Sequence, residues 1–231
     1  FKASLFLAAG ALLHSTGSRF LNEMGGLRRE MKFTFVAMMI AAASLAGIPP
    51  LSGFWSKDAV LGSILSIEGY NGMFGLYLLA VVTAVLTVFY SLRMVGLVFF
   101  GGKSTHLKNM EKEGKHVHEA PRVMWIPYML LAVATLGVGL GGPFVEGYLH
   151  GILGESLVTE FGMAVHHGEV GINSTAVLSS LLAIGIGGFF AYQFYISKRW
   201  NATKVIASNG LLRGLHVFFT NRWYINSIYY W

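Results

Sequence analysis

Pro49 and Pro50 interrupt an otherwise long apolar stretch, and no single straight helix can contain them. Neither proline has a backbone N–H, and each ring clashes with the preceding helical turn. Apolar runs 33–48 and 52–67 flank the pair, and Gly47 and Gly53 loosen both sides. The chain must leave the helix at the prolines and restart near Ser52. Lys57 and Asp58 then follow inside the restarted apolar segment, with Lys57 expected in its first turn. Broken backbone at membrane depth is tolerated only where protein buries it or where it lines a wet cavity. A break beside an ionisable pair is how discontinuous helices build ion sites.

Composition decides whether that depth is a membrane. Of 231 residues, 54% are hydrophobic and only 12% charged, with a mean hydropathy of +0.57. A soluble domain carries about 25% charge. The apolar runs are too long and too even for barrel strands. The fold class is therefore all-α: a polytopic transmembrane helical bundle with one proline-broken helix. The absence of cysteine rules out disulfides, thiolate metal sites and cysteine catalysis. Phe1-Lys2-Ala3-Ser4-Leu5 already lies inside an apolar run and lacks a starting Met, which reads as a piece of a longer polypeptide.

The apolar runs give spans at about 1–13, 33–67 (broken), 73–100, 123–142 and 174–196, a bundle domain of 1–197 and a tail of 198–231. The net charge of +6 reads as topology rather than nucleic-acid binding. If 33–67 is one interrupted crossing, fourteen loop Lys and Arg residues fall on one side. They are Arg19, Arg28, Arg29 and Lys32 after the first span, five in the 101–122 loop, and five in the tail. The other side then holds Glu68, Glu146, Glu155, Glu160 and Glu169 and no basic loop residue. Two crossings would split the basic residues between the faces. The positive-inside rule selects the single offset crossing, its halves overlapping in depth, with the basic loops and tail cytoplasmic.

Three basic residues remain for the membrane: Lys2, Lys57 and Arg93. Each costs about 3 kcal/mol on insertion scales and is a functional candidate. Lys57 and Asp58 are adjacent and so do not face each other on a helix. Lys57 must find water or another partner, and there it can cycle between charged and neutral forms. Asp58 is either a modulator of Lys57 or a structural partner. Arg93 is close enough to the end of its span to reach the interface, and its structural reading leads. Thr83, Thr87 and Ser91 form an i, i+4, i+8 stripe that either lines a water chain or bonds back to its own helix, the latter preferred. His14 closes the first span, as a cap, an interface residue or a relay. His106, His116, His118 and Glu119 lack zinc-ligand spacing and are not read as a metal site. In the tail, Arg213, His216, Thr220 and Ser227 lie near one helical stripe. That pattern fits either an amphipathic helix along the interface or an ordinary membrane-proximal segment.

Several motifs resemble one family. Phe1-Lys2-Ala3-Ser4-Leu5-Phe6-Leu7-Ala8-Ala9-Gly10, followed by His14, is similar to the lysine-bearing helix of the antiporter-like subunits of complex I, and Met24-Gly25-Gly26-Leu27 to the loop after it. Gly47-Ile48-Pro49-Pro50-Leu51-Ser52-Gly53-Phe54-Trp55-Ser56-Lys57-Asp58 resembles the second broken helix of that family. Phe54-Trp55-Ser56-Lys57-Asp58, Tyr90-Ser91-Leu92-Arg93-Met94 and His116-Val117-His118-Glu119-Ala120-Pro121 are most similar to its distal, chain L (subunit 5) branch. The motifs cover the first half of the chain; order and spacing support the second.

The resemblance implies a C-terminal part of a proton-translocating subunit, running from the lysine helix to the start of a lateral helix. It implies that Lys57 is the terminal proton-transfer lysine and Lys2 the central relay. It implies a translocase of the NADH- or F420H2-quinone or phenazine oxidoreductase type, in a prokaryotic cell membrane, moving H⁺ or alternatively Na⁺. Flavin or F420, iron–sulfur clusters and quinone would sit on partner membrane and peripheral subunits, since this sequence has no phosphate loop or cysteine cluster. The alternative is a subunit of a multisubunit cation/proton antiporter or of a membrane-bound hydrogenase.

Overall fold

The computed structural model describes residues 1–66, 73–142, 144, 147–148 and 174–231. The 68–72 turn, most of the 143–173 loop and the five glutamates expected on the face opposite the basic loops lie outside the described residues. Among the described residues all the regular structure is helical. The helices are α1 (Lys2–Thr16), α2 (Lys32–Ala46), α3 (Ser52–Ser66), α4 (Met73–Phe99), α5 (Thr105–Lys112), α6 (Arg122–Leu140) and α7 (Ser174–Ala191). A π-turn, Tyr192–Ile196, extends α7, and α8 (Ala202–Ser208), α9 (Gly210–Thr220) and α10 (Ile225–Tyr229) form the tail. Segments Phe74–Phe99, Arg122–Leu140 and Ser174–Ile196 are each long and apolar enough to cross a membrane, and Lys32–Ala46 is a shorter apolar helix.

Side-chain size is sorted as lipid requires. Ala8, Ala11, Ala37, Ala41, Ala132, Ala176 and Ala183 are buried between helices, while Phe6, Leu79, Leu130 and Leu178 point outward. Lipid tails are as apolar as leucine, so helices gain by close backbone approach over small residues rather than by hiding large ones. Buried hydroxyls tie the bundle across helices. Ser4 Oγ donates to the Tyr128 carbonyl at 3.0 Å, and Thr34 Oγ1 and Tyr128 Oη lie 2.7 Å apart. α4 packs on α7 and α2, α6 on α1 and α2, and α3 on α7, α4, α6 and α2.

The loop after α1, the 101–122 loop and the start of the tail meet at one end of the bundle. Lys103 bridges Glu30 and Glu111. Ser104 Oγ donates to the Glu23 carbonyl, and His106 Nε2 lies 3.1 Å from the Thr16 carbonyl. Phe33 stacks on Trp125 with centroids 4.4 Å apart. A Cβ on Gly101 would strike Lys198 Nζ, so the tail starts there too.

Two expectations need correction. The 101–122 loop contains a helix, α5, whose Ser104 cap accepts from the Leu107 N–H and whose Leu107 is fully buried. In the tail, Arg213, His216 and Thr220 share α9, but Ser227 does not continue their stripe. Arg222, Trp223 and Tyr224 adopt φ of 52°, 59° and 55°, a left-handed run that no right-handed helix accommodates.

Candidate functional site

The helix ends at the break leave backbone groups that must find partners. Gly47 closes α2 in the left-handed region at φ 82°, where a side chain would be strained. Its N–H bonds the Ala43 and Ser44 carbonyls, and the Ile48 N–H bonds Ala43 O at 3.0 Å. That leaves the carbonyls of Leu45 and Ala46. Lys57 Nζ takes both, at 2.8 and 3.0 Å. The partner that the sequence left open is thus the broken end of the preceding half-helix.

This contact exists because α3 steps back alongside α2 instead of continuing from it. A Cβ on Gly53 would lie 1.8 Å from the Ser44 carbonyl oxygen, so only glycine permits the approach. Ser44 Oγ accepts from the Gly53 N–H at 3.2 Å and sits 3.0 Å from Ser52 Oγ. Trp55 Nε1 donates to Gly139 O at 2.8 Å and pins α3 to α6. Lys57 falls in the second turn of α3, not the first, because α3 begins at Ser52.

The ammonium sits where the α2 carbonyl dipoles point, and a cation at a helix C-terminus is favoured. Lys57 also lies between two spaces. A cleft of about 700 Å³ runs between α3 and α4, lined by Lys57, Ser56, Leu61, Thr83 and Thr87 among others. A second void, of about 10 Å³, lies between α2, α3, α4 and α7 and is lined by Gly47, Phe54, Lys57 and Ser180. Lys57 is thus held by two carbonyls and borders both the cleft and the small void.

The other candidates are placed as follows. Asp58 is half-buried one residue on. Thr83 and Thr87 line the large cleft while donating to the carbonyls four residues back, both at 2.7 Å, as Ser91 does to Thr87 O. These bonds are the preferred reading of the stripe, bonding back to its own helix. Lys2 is exposed at the start of α1; α1 and α3 share α2 and α6 as neighbours. His14 is exposed in the last turn of α1, where Gly17 supplies the cap. Arg93 is exposed, with its guanidinium carbon 5.7 Å from the Tyr195 ring centroid, a cation–π contact.

Glu119 is a helix cap rather than a companion of the histidines. Its carboxylate accepts from the Phe33 N–H at 2.7 Å and from Thr34 Oγ1 at 2.6 Å, at the start of α2. His118 Nδ1 contacts its neighbour's carbonyl. Among the described residues no three His, Asp or Glu side chains converge as metal ligands. Sequence reasoning passed over Ser44, whose role depends on how closely the two half-helices approach.

Comparison with known proteins places these features in a family. Residues 1–87 match the family described as NADH:quinone oxidoreductase/Mrp antiporter, transmembrane. NADH-ubiquinone oxidoreductase chain 5 of Rhizopus stolonifer is 34% identical over 244 residues, covering 99% of this chain and 35% of that protein. NADH-quinone oxidoreductase subunit L of Rickettsia bellii is 32% identical, covering 81% of this chain and 28% of its own length. A probable K(+)/H(+) antiporter component from Rhizobium meliloti is 32% identical over 94% of this chain and 21% of that protein. The solved Mrp complex from Dietzia sp. DQ12-45-1b contains a chain that superposes with a TM-score of 0.62 at 27% identity, covering 98% of this chain and 23% of that one. The chain spans about a third or less of the length of these curated relatives. It belongs to the family of NADH:quinone oxidoreductase and Mrp antiporter membrane subunits, and its homologues include complex I chain 5 and subunit L.

Proposed function

We propose that this chain is part of a proton-translocating membrane subunit of an NADH–quinone-type respiratory complex, with Lys57 as its proton-exchanging residue. The observation that carries the reading is the Lys57 ammonium, seated on the Leu45 and Ala46 carbonyls at the broken end of α2. Those carbonyls favour the charged lysine. Loss of a proton weakens both contacts, so the neutral side chain is held less tightly in the same seat. The cleft between α3 and α4 gives a proton access to Lys57 from one side, and the small void borders the lysine towards α7. Lys2 serves as an upstream relay, and Asp58 modulates Lys57. Redox chemistry and its cofactors belong to partner subunits, and the translocase activity belongs to the whole assembly. Residues 1–197 form the bilayer-embedded bundle, and 198–231 lie along its basic, cytoplasmic face.

Variants at position 57 in the assembled complex test this. Lys57→Met should assemble and lose most proton uptake into vesicles, normalised to complex content. Lys57→Glu, still titratable, should retain more uptake than Lys57→Met. Lys57→Arg should retain less than Lys57→Glu, because a guanidinium does not release its proton in a protein. Full pumping by Lys57→Met would make the residue an anchor and refute the reading.

A second reading is a subunit of a cation/proton antiporter. It is favoured by the superposition on the Dietzia Mrp chain and by the Rhizobium meliloti relative. Co-purification with flavin and iron–sulfur subunits selects the respiratory complex. Electron-donor-independent Na⁺/H⁺ exchange selects the antiporter.

A further inference from the structure

Ser180, on α7, is 5% exposed, and its Oγ has no hydrogen-bond partner among the described residues. Its neighbour Ser179 donates to Ala176 O at 2.8 Å and accepts from Tyr77 Oη at 2.8 Å. A serine in a helix has that backbone option, so an unspent hydroxyl in a tight α4–α7 interface is costly. Ser180 lines the same small void as Lys57. The rest of its wall is apolar side chain and helix backbone, including Phe54, Ala84 and Val88. The volume, about 10 Å³, is that of roughly one water-sized probe, at the lower limit for holding a single water. A lysine ammonium has three N–H donors. Leu45 O and Ala46 O use two of Lys57's, which leaves one.

We propose that this void is a one-water site, in which Ser180 positions a single water against Lys57 Nζ. With the lysine charged, its third N–H donates to the water, which donates to Ser180 Oγ. With the lysine neutral, the serine hydroxyl rotates to donate to the water, and the water donates to the amine lone pair. The hydrogen-bond bridge reverses direction with the charge and satisfies both states. Ser180 is therefore a positioning residue: it lets Lys57 lose a proton without leaving a buried polar group unpartnered. The proposal rests on Lys57 being the proton-exchanging residue.

The test uses the assembled complex and has two arms. A high-resolution density map of the unaltered protein should show one ordered water within about 3 Å of both Lys57 Nζ and Ser180 Oγ. In parallel, Ser180→Ala should lower proton uptake per assembled complex roughly fivefold, the weight of one net hydrogen bond. Ser180→Thr, which keeps the hydroxyl, should restore most of it. A Ser180→Ala protein that pumps normally overturns the proposal, as does a map with no water and the Ser180 hydroxyl bonded to its own helix. Equal loss in the Ala and Thr variants also overturns it, because packing alone would then explain the effect. If Ser180→Ala fails to assemble, the map of the unaltered protein decides. Lys57→Met separates the two readings. Its pumping normally refutes the role of Lys57, whereas its failing beside a normal Ser180→Ala protein refutes only the water site.

Discussion

Two kinds of charged residue carry this molecule, and they differ in their surroundings. Lys57 is held by backbone carbonyls at the break, where few groups compete. Lys103 is held by two carboxylates on the basic end, with its side chain 27% exposed. Hydrogen bonds to Glu111 and then Glu30 raise the Lys103 ammonium above its ordinary 10.5, and the bond from Lys103 lowers the Glu111 carboxyl below 4.5. The signs follow from linkage. The lowered Glu111 stabilises the loop above pH 4.5 and loses that contribution as pH falls through its folded value. The raised Lys103 contributes fully below pH 10.5 and loses it as pH rises through its own. Protection of α5 from amide exchange should therefore hold through the neutral range and decline on the acid side, by a modest amount for a solvent-facing pair. Lys103→Met should flatten that acid decline; an unchanged profile would show that the bridge does not hold the loop. The sequence showed Lys57 as a lone cation in an apolar helix, but not its carbonyl partners, because those depend on how far α3 steps back. Ser180 gave no sequence signal at all: it reads like the other serines of α7 until the void on one side of it is seen.

At the scale of elements, the break is what the sequence encodes best. Prolines without donors, a glycine at the α2 cap and a glycine at the crossing leave little freedom, and α3 restarts at Ser52 as the pattern requires. The features that were hidden have physical reasons. α5 is eight residues long and mostly polar, with Leu107 and Met110 as its apolar positions, too few to mark a helical period in the sequence. The kink at 222–224 uses non-glycine residues in the left-handed region, which carry no turn signature. The break also makes a prediction. Replacing Pro49 and Pro50 with Ala restores both donors and favours extending α2. A straight continuation would carry Lys57 roughly 16 Å along the axis from Ala46 at 1.5 Å per residue, off its two carbonyls. The double variant should insert and assemble yet lose most proton uptake, with faster amide exchange in α3. Normal uptake in assembled protein would mean that the break is dispensable.

At the scale of the whole molecule, the break decides the topology. α2 and α3 have 15 residues each, about 22 Å apiece at 1.5 Å per residue. Laid end to end they exceed a hydrocarbon core of about 30 Å; overlapped at Ser44 and Gly53 they fit it better. Charge points the same way. If α2 and α3 each crossed fully, the loop after α1 and the 101–122 loop would lie on opposite faces. Instead Lys103 meets Glu30, Ser104 meets Glu23 and Gly101 abuts Lys198, so three basic segments share one end. Gathering their charge on the face that does not cross the membrane is the arrangement that insertion favours. The chain has no cysteine, so single cysteines report sidedness without background. Asn22→Cys, Lys108→Cys and Ser208→Cys should all react with an impermeant maleimide from the cytoplasmic side, and Ser174→Cys only from the other. Labelling of Asn22→Cys and Lys108→Cys from opposite sides would make α2 and α3 two crossings. It would also put the Lys57 seat at a membrane surface, where a lysine has no reason to release its proton.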